Sequence, residues 1–174
     1  MIKVIRMTVN GQDTELGVDE RESLADTLRR RLGLTSVKKG CEAGECGACA
    51  VLLDGKSVNS CLYLSVWADG RGVLTVEGLT GENGGLHPIQ QAFVDEAAIQ
   101  CGFCTPGLVL TGAEIANSGK TYTREELREL ISGHLCRCTG YENILNALEK
   151  VAGRRDKDSG ASDGGADDGG ADDW

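Results

Sequence analysis

Along residues 1–79 apolar and polar positions alternate in short runs broken by Gly-containing dipeptides. Met1-Ile-Lys-Val-Ile-Arg-Met-Thr-Val9 alternates as a β-strand does. Asn10-Gly11 separates Ile2–Val9 from a second strand-like run, Asp13–Val18. Asn-Gly is a strong hairpin signal because both turn positions need positive φ. Ser23 to Leu32 places Leu24, Leu28 and Leu32 on one helical face, with Gly33 as the C-terminal cap. Asp54-Gly55 marks a second hairpin between Ala50–Leu53 and Lys56–Asn59, and Val73-Leu-Thr-Val-Glu77 reads as one more strand. This order predicts an α+β domain with one helix laid across a sheet.

After Gly78 the pattern changes. Residues 80–86 are Gly-rich, and His87-Pro88 opens a stretch without strand signals. Ile89, Phe93, Ala97 and Ala98 make one face of a first helix. Thr105-Pro106 supplies a cap and an early helical Pro before Leu108–Ala116. Thr123-Arg-Glu-Glu126 is a capping box before Leu127, Leu130 and Ile131, and Thr139-Gly-Tyr-Glu142 reads as another before Ile144, Leu145, Leu148 and Val151. Four helices are predicted, giving an all-α second domain over 80–153 behind a linker at residues 78–86. Residues 154–174 are rich in Gly, Ala and Asp, with Gly-Gly-Ala-Asp-Asp repeated and Trp174 at the end; a disordered, solubilising acidic tail is expected there.

Composition narrows the function classes. Of 174 residues 40% are hydrophobic but only 4% aromatic, so the cores are built from Val, Leu, Ile and Ala. The net charge of -9 offers no basic footprint for nucleic acid. The tail contributes three Lys/Arg against seven Asp, a net of -4. No apolar run approaches the roughly 20 residues of a membrane span, and the N-terminal run lacks a signal-peptide pattern. A cytoplasmic chain is expected.

The chemistry is carried by eight cysteines. In a reducing compartment disulfides rarely persist, so metal ligation or redox chemistry is favoured. Cys41-x4-Cys46-x2-Cys49, followed by Cys61, has the plant-type [2Fe–2S] spacing. Three thiolates in one short loop must converge on a small anionic cluster. Gly40, Gly44 and Gly47 are expected to remove side chains where the backbone wraps it, leaving amides free to hydrogen-bond sulfur. Cys61, at the end of the second hairpin, would anchor the loop to the sheet. Zinc sites more often place their ligands in C-x2-4-C pairs. The second set, Cys101-x2-Cys104 and Cys136-x-Cys138, is compatible by spacing with either zinc or iron–sulfur. Cys104 and Cys138 are each expected at a helix N-terminus, where free N–H groups favour thiolates and an anionic cluster.

Other candidates weigh less. His87 and His134, the two histidines, read as helix-end or surface residues. There is no G-x-G-x-x-G loop, no Walker A loop and no Ser/His/Asp constellation. Gln100, directly before Cys101, reads on its own as a helix-end polar residue.

Gly40-Cys-Glu-Ala-Gly-Glu-Cys-Gly-Ala-Cys49, Gln100-Cys-Gly-Phe-Cys-Thr-Pro-Gly107 and Leu135-Cys-Arg-Cys-Thr-Gly-Tyr141 together resemble the iron–sulfur subunit of the molybdenum hydroxylases. That is the xanthine dehydrogenase, aldehyde oxidoreductase and aerobic carbon monoxide dehydrogenase family, and the resemblance spans residues 2–152. It implies a plant-ferredoxin-like β-grasp domain over 1–79 and an all-α four-helix [2Fe–2S] domain over 80–153. It also implies two [2Fe–2S] clusters, held by Cys41, Cys46, Cys49 and Cys61 and by Cys101, Cys104, Cys136 and Cys138. Substrate would be hydroxylated with water-derived oxygen at a molybdenum–pterin cofactor on a large subunit. Electrons would pass singly through both clusters to FAD on a medium subunit, in a heterotrimer or a dimer of heterotrimers. The helical-domain cluster would lie nearer the molybdenum, and Gln100 and Cys138 would also approach the pterin. No substrate chemistry would take place on this chain, which would serve as the iron–sulfur subunit of an oxidoreductase complex.

Val37-Lys-Lys-Gly-Cys41, Ser60-Cys-Leu-Tyr-Leu64 and Trp67-Ala-Asp-Gly70 are most similar in feel to bacterial xanthine dehydrogenase subunits, which points to a purine or related N-heterocycle. The sequence departs from the family in carrying Ala50 where relatives often have Thr, and in its acidic tail. The alternatives are the same subunit in an aldehyde- or carbon monoxide-oxidising complex, a free-standing two-cluster ferredoxin docking through its acidic surface, and a zinc-stabilised binding module.

Overall fold

The computed structural model describes residues 1–80 and 84–152. The expected acidic tail, 154–174, lies outside the described residues. Strands β1 (Ile2–Val9) and β2 (Gln12–Asp19) form the first hairpin, and β3 (Ala50–Leu53) and β4 (Lys56–Asn59) the second. Both turns have the expected left-handed pairs: Asn10 at φ 51° with Gly11 at 79°, and Asp54 at 48° with Gly55 at 83°. Strand β5 (Gly72–Leu74) pairs parallel to β1 and antiparallel to β3, closing a five-stranded mixed sheet of order β2-β1-β5-β3-β4. The strand expected over Val73–Glu77 is shorter, because Val76–Gly78 tightens into a 3₁₀ turn.

The helix expected over Ser23–Leu32 is one α-turn, α1 (Leu24–Asp26), that widens at once into a π-helical turn over Thr27–Arg31. Its wide closure is the Leu32 N–H donating to the Thr27 carbonyl at 3.2 Å. Ser23 caps it by accepting from the Asp26 N–H. Leu24 and Leu28 are fully buried against the odd positions of β1, Ile5, Met7 and Val9, while Leu32 is half-buried at the margin. The even positions Ile2 and Val4 face outward.

Four helices follow: α2 (Pro88–Asp95), α3 (Thr105–Asn117), α4 (Arg124–Leu130) and α5 (Glu142–Ala152). Their core joins Ile89 and Phe93, Leu108, Leu127, and Ile144, Leu145 and Leu148. Each such side chain contributes about 1.5–3 kcal/mol by leaving water. On α2 the apolar face is Ile89, Ala92 and Phe93; Ala97 is exposed at φ 49°, past the helix end, and Ala98 returns to the core. His87 caps α2, accepting from the Ile89 N–H at 3.4 Å while its own N–H donates to Gln90 at 2.8 Å. Burial holds the His87 imidazole below its ordinary pKa, which keeps that acceptor lone pair available. The Thr123–Glu126 capping box forms as expected. Arg124 ties α4 to α5 through Glu142 and Glu149, at 2.7 and 2.9 Å.

The box expected at Thr139–Glu142 is replaced. Thr139 accepts from the Tyr141 N–H at 3.1 Å, Tyr141 is left-handed at φ 68°, and Glu142 is spent on Arg124. The helix therefore starts later than a cap at Thr139 would place it.

Strand β3 joins the two halves. Val51 and Leu53 pack toward α1, and Leu52 toward the helices, so all four residues of Ala50–Leu53 are buried. An unbroken apolar run is what a strand covered on both faces requires. At the edge of the sheet the Ser57 N–H on β4 donates to Glu114 on α3 at 2.8 Å.

Candidate metal centres

Cys41, Cys46 and Cys49 lie in the loop between the π-helical turn and β3, and Cys61 lies just past β4. Two links fasten this loop. Asn59 donates to the Gly44 carbonyl at 2.9 Å, and the buried Ser60 hydroxyl donates to the Cys49 carbonyl at 2.6 Å. Lys39 is held between Asp26 and Glu42 at 2.9 and 2.7 Å. The sulfurs already receive amides: Ala43 and Glu45 donate to Cys41 Sγ at 3.3 Å each, and Cys41 donates to Cys46 Sγ at 3.4 Å. Those amides bring the Cys41 thiol down to about 7, whereas burial pushes Cys49 up to about 11.

Cys101 and Cys104 lie in the segment leading into α3, and Cys136 and Cys138 in the segment between α4 and α5. Cys104 occupies the residue just before α3, as expected, although its side chain makes no cap bond. Cys138 does not sit at a helix start. Helix α5 begins at Glu142, after the Thr139–Tyr141 turn, so the helix-terminus argument applies to Cys104 alone. Burial pushes Cys104 up to about 12. Burial also opposes ionisation of Cys136, but the Thr139 hydroxyl and adjacent amides outweigh it and hold this thiol below its ordinary value.

The donor sets fit a two-iron cluster. In the first, Cys41 lies beside Cys46, and Cys49 beside Cys61. In the second, Cys101 lies beside Cys138, and Cys104 beside Cys136. Each set is thus two adjacent pairs of thiols. Among the described residues no three His, Cys, Asp or Glu side chains close on a point as ligands of a single ion do. A cluster in which four thiolates are shared between two irons does not require that closure. The mixture of lowered and raised thiols is met by metal binding, which displaces the protons.

Glycines admit this approach. A Cβ on Gly40 would lie 2.9 Å from Cys46 Sγ, as the spacing argument anticipated. Gly47, at φ 65°, is required for another reason. A Cβ there would overlap the His134 ring and stand 2.6 Å from the Gly133 carbonyl.

His134 corrects the reading of it as a helix-end or surface residue. It is buried between the first cysteine loop and α3, with Nε2 at 2.8 Å from Thr111 Oγ1. Its Nδ1 is buried without a hydrogen-bond partner, and burial holds its pKa below the ordinary value. Beside it, the Leu135 N–H donates to the Cys46 carbonyl at 3.0 Å, joining the two cysteine segments. Tyr141 was also missed: its hydroxyl accepts from the Cys136 N–H at 2.7 Å and donates to the His134 carbonyl at 3.0 Å. Its signal in the sequence is its place three residues after Cys138, at the end of the Leu135–Tyr141 motif. Gln100 is exposed, next to the exposed Cys101, and Cys138 is exposed as well. Among the described residues no helix is long and apolar enough to cross a membrane.

Comparison with known proteins agrees with these two centres. Residues 7–72 match the model of a 2Fe-2S iron-sulfur cluster binding domain, and residues 75–149 that of a [2Fe-2S] binding domain. The nicotine 6-hydroxylase small subunit of Paenarthrobacter nicotinovorans is 46% identical, over 90% of this chain and 93% of that one. The xanthine dehydrogenase iron-sulfur-binding subunit of Escherichia coli O157:H7 is 47% identical, over 83% and 91%. The crystal structure of quinoline 2-oxidoreductase from Pseudomonas putida 86 superimposes with a TM-score of 0.82 at 44% identity, over 87% and 93%. On its two matched cluster-binding regions and these near full-length likenesses, the chain belongs to the iron–sulfur small subunits of the molybdenum hydroxylase family.

Proposed function

We propose that this chain carries electrons singly from a molybdenum–pterin centre on a large subunit to FAD on a medium subunit, in a heterotrimer or a dimer of heterotrimers that hydroxylates a purine or related N-heterocycle. Cys41, Cys46, Cys49 and Cys61 hold one cluster, and Cys101, Cys104, Cys136 and Cys138 the other. When bound, a [2Fe–2S] cluster takes up and gives back one electron at a time. The observation that carries the reading is the placement of the thiols. Each set combines one buried thiol, Cys49 or Cys104, with at least one exposed thiol, Cys41 in the first and Cys101 and Cys138 in the second. Both sets therefore reach the surface, as an intermediary between two partner proteins must. The Leu135–Cys46 hydrogen bond adds a short route between the sets.

Residues of this chain then have limited tasks. The Ala43, Glu45 and Cys41 amides stabilise negative charge on sulfur and so favour the reduced state. Gln100, exposed beside the second set, and Cys138, an exposed member of it, contact the pterin across the subunit boundary. Residues 1–79 form a ferredoxin-like β-grasp unit and 80–153 a four-helix unit; two core clusters support two units, although Leu52 and Leu79 of the first pack into the helical core. The relatives that act on nicotine, xanthine and quinoline favour a nitrogen heterocycle as substrate.

The test is native purification through this chain, with iron, zinc, molybdenum and flavin measured on the intact eluate. Four irons per chain with stoichiometric molybdenum and flavin on larger partners is the expected result. Four irons on a lone chain that stays lone at low salt would replace this reading with a free-standing ferredoxin, and zinc would overturn both.

A further inference from the structure

The polar contacts between His134 and Tyr141 converge on one thiol. Gly140 and Tyr141 are both left-handed, at φ 65° and 68°, and this turns the chain back so that the Tyr141 N–H donates to Thr139 Oγ1 at 3.1 Å. The same oxygen lies 3.2 Å from Cys136 Sγ. A threonine hydroxyl has one hydrogen to give and can also accept. The Tyr141 amide occupies an acceptor site, which leaves that hydrogen free, and a Cys136 thiolate is an acceptor only. The Thr139 O–H therefore donates to the sulfur. Tyr141 holds the geometry from the other side as well, because its hydroxyl takes the Cys136 N–H and removes that amide from competition.

We propose that Thr139 raises the reduction potential of the second cluster by donating its hydroxyl hydrogen to Cys136 Sγ, in an orientation fixed by the Tyr141 backbone N–H. This rests on the reading of Cys101, Cys104, Cys136 and Cys138 as that cluster's ligands. The physical basis is charge. Reduction adds negative charge to a cluster that is already anionic, and a donor aimed at a ligand sulfur stabilises the more negative form. Around Cys41 the donors are backbone amides, which any residue supplies. Among the described residues Thr139 is the one side-chain hydroxyl within hydrogen-bond reach of a cysteine sulfur. Thr139 is thus a positioning residue acting through Cys136, and it biases the relay at a point that one substitution can change without altering a ligand.

The experiment is a redox titration of the intact complex, followed by electron paramagnetic resonance of both clusters, for the unsubstituted protein, Thr139→Val and Thr139→Ser. In Thr139→Val the reduced-to-oxidised ratio of the second cluster at fixed ambient potential is expected to fall on the order of tenfold, about 59 mV for a one-electron couple. The first cluster stays where it was, and Thr139→Ser keeps the unsubstituted value. An unmoved second cluster in Thr139→Val, or an equal shift of both clusters, would overturn the proposal. If Thr139→Val fails to load iron at the second site, electron–nuclear double resonance on the unsubstituted, reduced complex decides. A proton coupled to the second cluster that is lost promptly on transfer to D2O, as a hydroxyl proton is and a hydrogen-bonded amide is not, supports the proposal; its absence overturns it. Survival of both cluster signals in Cys136→Ser would instead overturn the ligand assignment beneath it.

Discussion

The Leu135 N–H donates to the carbonyl of Cys46 at 3.0 Å, so a residue adjoining Cys136 in the second cysteine set is bonded directly to a member of the first. His134, one residue earlier, fills the space between Gly47 and α3 and is pinned there by Thr111. The two cysteine loops consequently share one packed junction, and a change in either loop at this point is felt by both.

Gly47→Ala tests that junction. The new methyl group meets the His134 ring and the Gly133 carbonyl, and φ 65° is unfavourable for alanine. The expected cost is about 1–3 kcal/mol, a fall in Tm of several degrees at about 2–4 °C per kcal/mol for a chain of this size. Thermal unfolding followed through the visible absorption of the clusters measures it. A Tm within a degree of the unsubstituted protein would mean that the junction yields without strain.

Separate cysteine sets should empty separately. Cys41→Ser and Cys136→Ser are each expected to lower iron from four to two per chain, with the remaining cluster keeping its own spectrum. Loss of all four irons from either single variant would show that the two centres do not load independently.

Tyr141→Phe removes the partner of both the Cys136 N–H and the His134 carbonyl. Leaving such half-buried groups without a partner costs about 1–3 kcal/mol. Urea titration should show the lower stability, and chelator challenge should strip the second site first. Equal chelator sensitivity at both sites would place the effect of Tyr141 elsewhere.

Gln100→Ala is expected to slow turnover of the assembled enzyme while leaving iron at four per chain, because Gln100 is exposed and is assigned a contact on the partner subunit. Unchanged turnover would remove Gln100 from the pterin contact.

Much of this was legible in the sequence, for physical reasons. Asn10-Gly11 and Asp54-Gly55 announce the two hairpins because few other residues tolerate paired positive φ. The Thr123–Glu126 box marks the start of α4 because its two hydrogen bonds are local. The first cysteine spacing points to a [2Fe–2S] centre because metal ligation restricts residue type so strongly, whereas the second spacing fits zinc as well as iron–sulfur and only the wider motif resemblance chooses between them. What could not be read depended on contacts distant along the chain. The burial of His134 arises from packing against Gly47 and Thr111, far from it in sequence. Thr139 looked like a helix cap because it has a cap's residue type, but its hydroxyl is engaged with Tyr141 and Cys136. The widening of the first helix at Thr27 accompanies a buried hydrogen bond between its hydroxyl and that of Ser65, at 2.7 Å, which no local pattern encodes.

The most direct measurement is quantification of iron and acid-labile sulfide per chain in the natively purified complex, with a spin count of the fully reduced protein. Four irons, four sulfides and two distinct one-electron centres per chain are expected if both cysteine sets hold [2Fe–2S] clusters. Two irons and one centre, or zinc at Cys101, Cys104, Cys136 and Cys138, would contradict the relay assigned to this chain.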